Sequence, residues 1–107
     1  MSEVSLYQVY SNEAVRDFGN CYRNALIQEN DYASLTELEN VEAKEDFAEA
    51  IKKFLRRNFS KEGWKPRESS LEEVMKLVDS SGVRIVRAAI ISHALTWKEK
   101  ETKEGGE

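Results

Sequence analysis

One cysteine, one histidine and one proline are all the chain holds of three residue types that often carry redox, acid–base and turn chemistry. Cys21 by itself cannot close an internal disulfide, and no charged leader followed by an apolar stretch of signal-peptide length opens the chain. A reducing, cytoplasmic setting is therefore expected. A membrane span needs roughly 18 uninterrupted apolar residues. The greasiest stretch, Val83 to Leu95, is broken by Arg84, Arg87 and His93, so a soluble protein with no membrane partner is expected. Also missing are a glycine-rich phosphate loop, the His/Cys spacing of a zinc site and the alternating Asp/Asn register of an EF-hand. With so few parts for a nucleophile, an acid–base pair or a metal, no enzyme activity, no metal and no cofactor are expected. His93 lies on the most apolar segment, which favours a hydrogen-bonded core or interface histidine over a catalytic one. Cys21 lies beside an apolar helix face, and a small buried thiol is the expectation there.

What is present suits one helical domain. The 107 residues can bury a single modest core but not two. A hydrophobic content of 40% against 34% charged residues lies on the folded side of the disorder boundary. Abundant Glu and Lys with scarce Gln lean toward a thermophilic source, where ion-pair networks are enriched. No repeat of fixed period and no convincing strand pair occur.

Apolar residues at Val4, Leu6, Tyr7, Val9 and Tyr10 are too short a pattern to separate helix from extended arm. Ser11 is a candidate N-cap, and Ala14, Val15, Phe18, Tyr22, Ala25 and Leu26 then recur at helical spacing to about Gln28. A short helix is expected from Tyr32 to near Asn40, and a third from Val41 or Glu42 to Asn58. On that third helix Phe47, Ala50, Ile51, Phe54, Leu55 and Asn58 share one side, while Lys52, Lys53, Arg56 and Arg57 fall on the other. Ser60 to Ser69, with Gly63 and Pro66, reads as a loop. Ser70 and Glu73 have capping-box spacing and open a fourth helix to about Asp79. Gly82 can take a positive φ and stop it. Val83 to about Trp97 is apolar nearly all round and is expected to be the buried central helix. The fold class expected is all-α, a compact bundle of about five helices over residues 1–97. Residues 98–107 are expected to form a disordered, solvated tail.

The charge is unevenly spread. From Lys52 to Arg67 there are seven Lys/Arg against one Glu, although the formal net charge is -4. From Glu29 to Glu49 there are eight carboxylates and one Lys. A local positive stripe is the footprint of a polyanion partner. Lys52, Lys53, Arg56 and Arg57 form a two-row comb suited to phosphates, Lys61, Lys65 and Arg67 extend it, and Trp64 offers a face to an unstacked base. Part of the pattern needs no ligand, because carboxylates at the start of a helix and cations at its end match the helix dipole. Arg84 and Arg87, three apart, imply that one edge of the last helix reaches solvent, an acidic face or a phosphate. The Glu42, Glu45, Asp46 and Glu49 cluster could bind a cation, but a solvated helix face is the stronger expectation. Opposite charge along the chain also permits head-to-tail joining of copies, the basis of a second reading as a helical protein-interaction or adaptor module without nucleic-acid binding.

The segments Ser11-Asn12-Glu13-Ala14-Val15-Arg16-Asp17-Phe18-Gly19, Asp31-Tyr32-Ala33-Ser34-Leu35 and Ser81-Gly82-Val83-Arg84-Ile85-Val86-Arg87-Ala88 resemble the small helical subunit of archaeal type I-A CRISPR effector (Cascade) complexes. The likeness spans roughly Tyr10 to Trp97. It implies a non-catalytic subunit stacked in several copies beside the other subunits of a crRNA-guided complex. Its implied nucleic-acid partner is the crRNA–target DNA heteroduplex or the displaced strand, contacted through the backbone while base pairing reads sequence. The implied contact residues are Lys52, Lys53, Arg56 and Arg57, then Lys61, Lys65, Arg67, Arg84 and Arg87. The acidic total charge departs from a binder that acts alone, since counterion release is strong only where several stripes line up.

Overall fold

The structure, a computed structural model, describes residues 6–58 and 66–105, with side chains over 7–58 and 66–96. Six helices follow one another: α1 (Leu6–Tyr10), α2 (Glu13–Glu29), α3 (Tyr32–Glu39), α4 (Lys44–Arg57), α5 (Glu68–Ser81) and α6 (Val83–Gly105). The described residues are thus all-helical, with one helix more than the sequence pattern predicts. The additional one is α1, whose five residues are too few to show a period.

The centre is the pairing of α2 with α6, the most extensive helix contact in the fold. Val15, Phe18, Tyr22 and Leu26 of α2 and Val86, Ala89, Ile90 and Ala94 of α6 are buried. Gly19 sets how close the two helices come: a Cβ there would lie 2.3 Å from the His93 Cβ and 3.3 Å from the Ile90 carbonyl oxygen. At a separation below 3 Å something must move, so glycine is required by packing and not by backbone conformation. α1 packs on α6, α5 packs on α2 and α6, and α3 packs on α4 and α6. α4 joins the core through Phe47, Ala50, Ile51 and Phe54. The Phe54 ring is stacked on Tyr22 of α2, centroids 3.9 Å apart and planes 11° off parallel. That contact ties the helix that carries the cations to α2.

Three expected helix starts move. Asn12, not Ser11, caps α2: its side-chain oxygen accepts from the Ala14 and Val15 amides at 2.8 and 3.3 Å, while the Ser11 hydroxyl donates to the Tyr7 carbonyl. Ser70 does not cap α5 either. The helix already begins at Glu68, and the Ser70 hydroxyl donates 2.7 Å to Asp17 Oδ2 on α2. The same oxygen accepts from the Arg67 amide at 2.8 Å, so the first turn of α5 is satisfied by a carboxylate fifty residues earlier in the chain. Val41 and Glu42 precede α4, which starts at Lys44 with Glu45 and Asp46 in its first turn. Gly82 ends α5 at φ 97°, as its place in the sequence requires. Asn30 takes the same role for α2 at φ 59°. α6 runs through Gly105, beyond the expected end near Trp97, and the expected solvation of the tail lies outside the described side chains. Among the described residues no helix is long and apolar enough to cross a membrane.

Candidate functional site

α4 presents its cations in two different ways. Its apolar stripe is fixed inward, which leaves Lys52 and Lys53 exposed on the outer side, with no ion pair or hydrogen bond among the described residues. Arg56 is exposed as well and meets Glu49, two turns earlier, at 3.4 Å. Two solvated side chains at that distance hold each other weakly.

Arg57 differs. Its guanidinium reaches across to α3, where it donates to the Ser34 hydroxyl and lies 3.3 Å from Glu37 and 3.8 Å from Asp31. Ser34 is buried and is itself held by Asp31, which accepts from its amide at 3.1 Å and from its hydroxyl at 2.8 Å. Asp31 is also the N-cap of α3. The residue therefore ties the end of α4 to the start of α3, and a fork-shaped donor between two carboxylates is a structural fastening. Of the four-residue comb expected from sequence, Lys52, Lys53 and Arg56 are the members not tied to another helix.

The remaining expected contacts divide as follows. Lys61, Trp64 and Lys65 lie outside the described residues. Arg67 meets Asp17 at 3.5 Å and Glu13 at 3.8 Å, both on α2. Arg84 meets Glu42 at 3.5 Å, and Arg87 donates to the Val41 carbonyl, so this pair attaches α6 to the segment before α4. Lys44 closes the other side with Asp79 of α5 at 2.7 Å. Among the described residues, Arg57, Arg67, Arg84 and Arg87 are thus engaged with neighbouring elements. What the structure leaves open is the outer face of α4.

The groups that could do chemistry are engaged in structure. His93 Nε2 lies 2.6 Å from the Tyr10 carbonyl, and because a carbonyl only accepts, that nitrogen carries the hydrogen. Its ring is stacked on Tyr10 at 4.0 Å and 14°. Cys21 is buried, and burial, with a smaller contribution from the Asp17 charge, pushes its thiol up to about 12. Burial thus disfavours the thiolate, the form that acts as nucleophile or metal ligand. Burial also raises the Tyr22 hydroxyl, and that hydroxyl has no hydrogen-bond partner among the described residues. Of the carboxylates between 42 and 49, Glu42 and Glu49 are paired with arginines as above. Among the described residues no group of three or more His, Cys, Asp or Glu could hold a metal ion.

One hollow escapes a reading of the sequence. Arg16, Asn20 and Arg23 of α2 line a cleft of ≈ 510 Å³ with Tyr7 and Tyr10 of α1, Ser11, and His93 and Thr96 of α6. The i, i+4, i+7 spacing puts Arg16, Asn20 and Arg23 on one side of α2 and was the available signal. Its meaning depends on where α1 docks, which no local pattern states.

No family model matches this sequence, and no solved structure matches it. An uncharacterized protein of Archaeoglobus fulgidus is 50% identical to it over 109 residues, covering 94% of this chain and 91% of the relative. At that identity and coverage, with both chains matched nearly end to end, this chain belongs to the same family as the Archaeoglobus fulgidus protein.

Proposed function

We propose that the chain is a non-catalytic structural subunit of a nucleoprotein assembly, of the crRNA-guided kind that its short motifs resemble, and that it contacts nucleic-acid backbone through the outer face of α4. The observation that carries this is the state of Lys52 and Lys53. Both are exposed, neither has a carboxylate partner among the described residues, and both stand on a helix held rigidly by Phe47, Ile51 and Phe54. Arg56 is free to join them once its 3.4 Å contact to Glu49 opens. Arg57 takes no part in that face, since it fastens α4 to α3.

Three cations on a chain of formal net charge -4 are a weak polyanion site in a single copy. Repetition along an assembly adds them in a line, so the reading belongs to a multi-copy subunit better than to a free-standing binder. The test is retention of duplex and heteroduplex DNA by the assembly purified from its native host, with the wild-type chain and with Lys52→Ala/Lys53→Ala. Weaker retention is expected, with a slope of log affinity against log salt shallower by about 1 for each lost phosphate contact per copy. Unchanged retention would remove the proposal. Copurification of crRNA and other effector subunits is the result expected for the crRNA-guided form.

The alternative, a protein-interaction module, draws on Ile27, which is 51% exposed on α2, and on the apolar cleft formed by Tyr7, Tyr10, Ala88, Ala89 and Ser92. It predicts a partner-bound or self-associated species in the absence of nucleic acid, seen by light scattering.

A further inference from the structure

The cleft between α1, α2 and α6 has the chemistry of a ligand site and does not touch α4. Arg16 is exposed and Arg23 is half-buried, and neither guanidinium has an ion pair or hydrogen bond among the described residues. This is unusual in the molecule, because Arg56, Arg57, Arg67 and Arg84 each have a carboxylate within 4 Å and Arg87 has a carbonyl. Seven residues apart on one helix, the two guanidinium groups are rooted about 10.5 Å from each other along the axis, with Asn20 between them. A guanidinium is a planar fork of donors, and its best partners are the paired oxygens of a phosphate or carboxylate.

The opposite wall adds an aromatic surface. Tyr7 is 76% exposed, the most exposed large hydrophobic side chain among the described residues. Tyr10 beside it is immobilised by its stack on His93 and by the bond from His93 Nε2 to its carbonyl. Across the same two tyrosines lies the apolar cleft, ≈ 430 Å³, floored by Ala88 and Ala89. Tyr7 and Tyr10 thus form a ridge with a cationic hollow on one side and an apolar one on the other. A ligand that satisfies both carries an anionic oxygen group next to a flat ring. In a nucleotide those are the phosphate and the base.

We infer that this cleft is a nucleotide site separate from the α4 face, holding a phosphate between Arg16 and Arg23 with Asn20, and stacking the attached base on Tyr7. The nucleotide chemistry is common to a free mononucleotide and to an unstacked residue of a single strand. Aromatic–base stacking tolerates any base, so the site is expected to discriminate little by sequence.

The full-length chain is titrated against a fluorescein-labelled oligo(dT) of about 12 nucleotides, a length within the span one small domain covers. Binding is read by anisotropy at low salt. Separately, AMP is titrated and the Tyr7 and Arg16 resonances are followed by NMR. Arg16→Ala/Arg23→Ala is expected to weaken oligo(dT) binding at least about tenfold, and Tyr7→Ala by about five- to tenfold, the lower part of the range for one lost stack. Tyr7→Phe should bind as the wild type does, and thermal melts of all variants should match the wild type because these side chains are not core. Perturbation of both resonances by AMP as well as by oligo(dT) assigns a mononucleotide site, and perturbation by oligo(dT) alone assigns a single-strand site. Wild-type affinity in the double arginine variant overturns the inference. So does displacement of bound oligo(dT) by a short poly-glutamate peptide but not by AMP, which would make the cleft a carboxylate site. Lys52→Ala/Lys53→Ala serves as the separating control: it should leave oligo(dT) binding within about twofold, while the arginine pair should leave the duplex retention expected of α4 intact. Loss of oligo(dT) binding in the lysine variant alone would refute the cleft and spare the α4 reading.

Discussion

Phe54 and Arg57 of α4 are tied to neighbouring helices while Lys52 and Lys53 are not, and the two sets answer to different forces although they share one helix. Phe54 is fully buried against Tyr22, and the half-exposed Arg57 reaches across to Ser34 and Glu37 of α3 and to Asp31, its N-cap. Lys52 and Lys53 touch no partner among the described residues. The difference teaches that a run of four cations is not one feature. The helical period turns all four away from the apolar stripe, and a neighbouring helix claims the fourth.

Substitutions in the two sets should separate accordingly. Phe54→Ala removes a ring that is fully buried and leaves a cavity beside Tyr22, so a loss of about 3–5 kcal/mol is expected in urea unfolding. A loss below that range would mean that α4 is held by something other than its aromatic anchor. Arg57→Ala leaves Ser34 without its donor and exposes two carboxylates to each other, for which about 1–2 kcal/mol is expected after allowance for solvent at a partly exposed guanidinium. Tyr22→Phe deletes a buried hydroxyl that has no partner while keeping the ring stack, and a gain of up to about 1 kcal/mol is expected, measured by the urea midpoint at unchanged slope. A clear loss there would reveal a partner for the hydroxyl. Lys52→Ala/Lys53→Ala should leave the urea midpoint where it was and act only on polyanion binding. If that pair destabilised the fold as Arg57→Ala does, the distinction between the two sets would fail.

Much of this architecture is legible without coordinates. The period of Ala14, Val15, Phe18, Tyr22, Ala25 and Leu26 gives the buried face of α2, the near-continuous apolar run from Val83 gives the central helix, and Gly82 marks the break before it. These are local consequences of residue size and backbone freedom. What is not legible depends on partners distant in sequence. Asp17 falls outside the apolar period of α2, yet it accepts from the Arg67 amide and the Ser70 hydroxyl and so ties the start of α5 to α2. Ser70 has the spacing of a capping residue, and a stronger acceptor on another helix redirects its hydroxyl. Arg57 differs from Arg56 by one position and about 100° of turn, enough to bring it within reach of α3. Of the expected contact residues, Arg67, Arg84 and Arg87 are similarly drawn to neighbouring elements. The Arg16–Arg23 cleft is hidden for the same reason, since α1 is too short to declare itself and its docking on α6 builds half the wall.

The contact of Gly19 with His93 has an evolutionary consequence. A side chain of any size at position 19 would collide with the His93 Cβ, which the α6 backbone fixes, so α6 would have to move off α2 and carry with it the imidazole that grips the Tyr10 carbonyl. Homologues that carry alanine or serine in place of Gly19 are therefore expected to carry glycine, the one residue without a Cβ, in place of His93, and with it to have lost the means of fastening their first helix. Positions 19 and 93 should covary, and the spread of that covariation through relatives would mark which lineages keep the N-terminal segment in place.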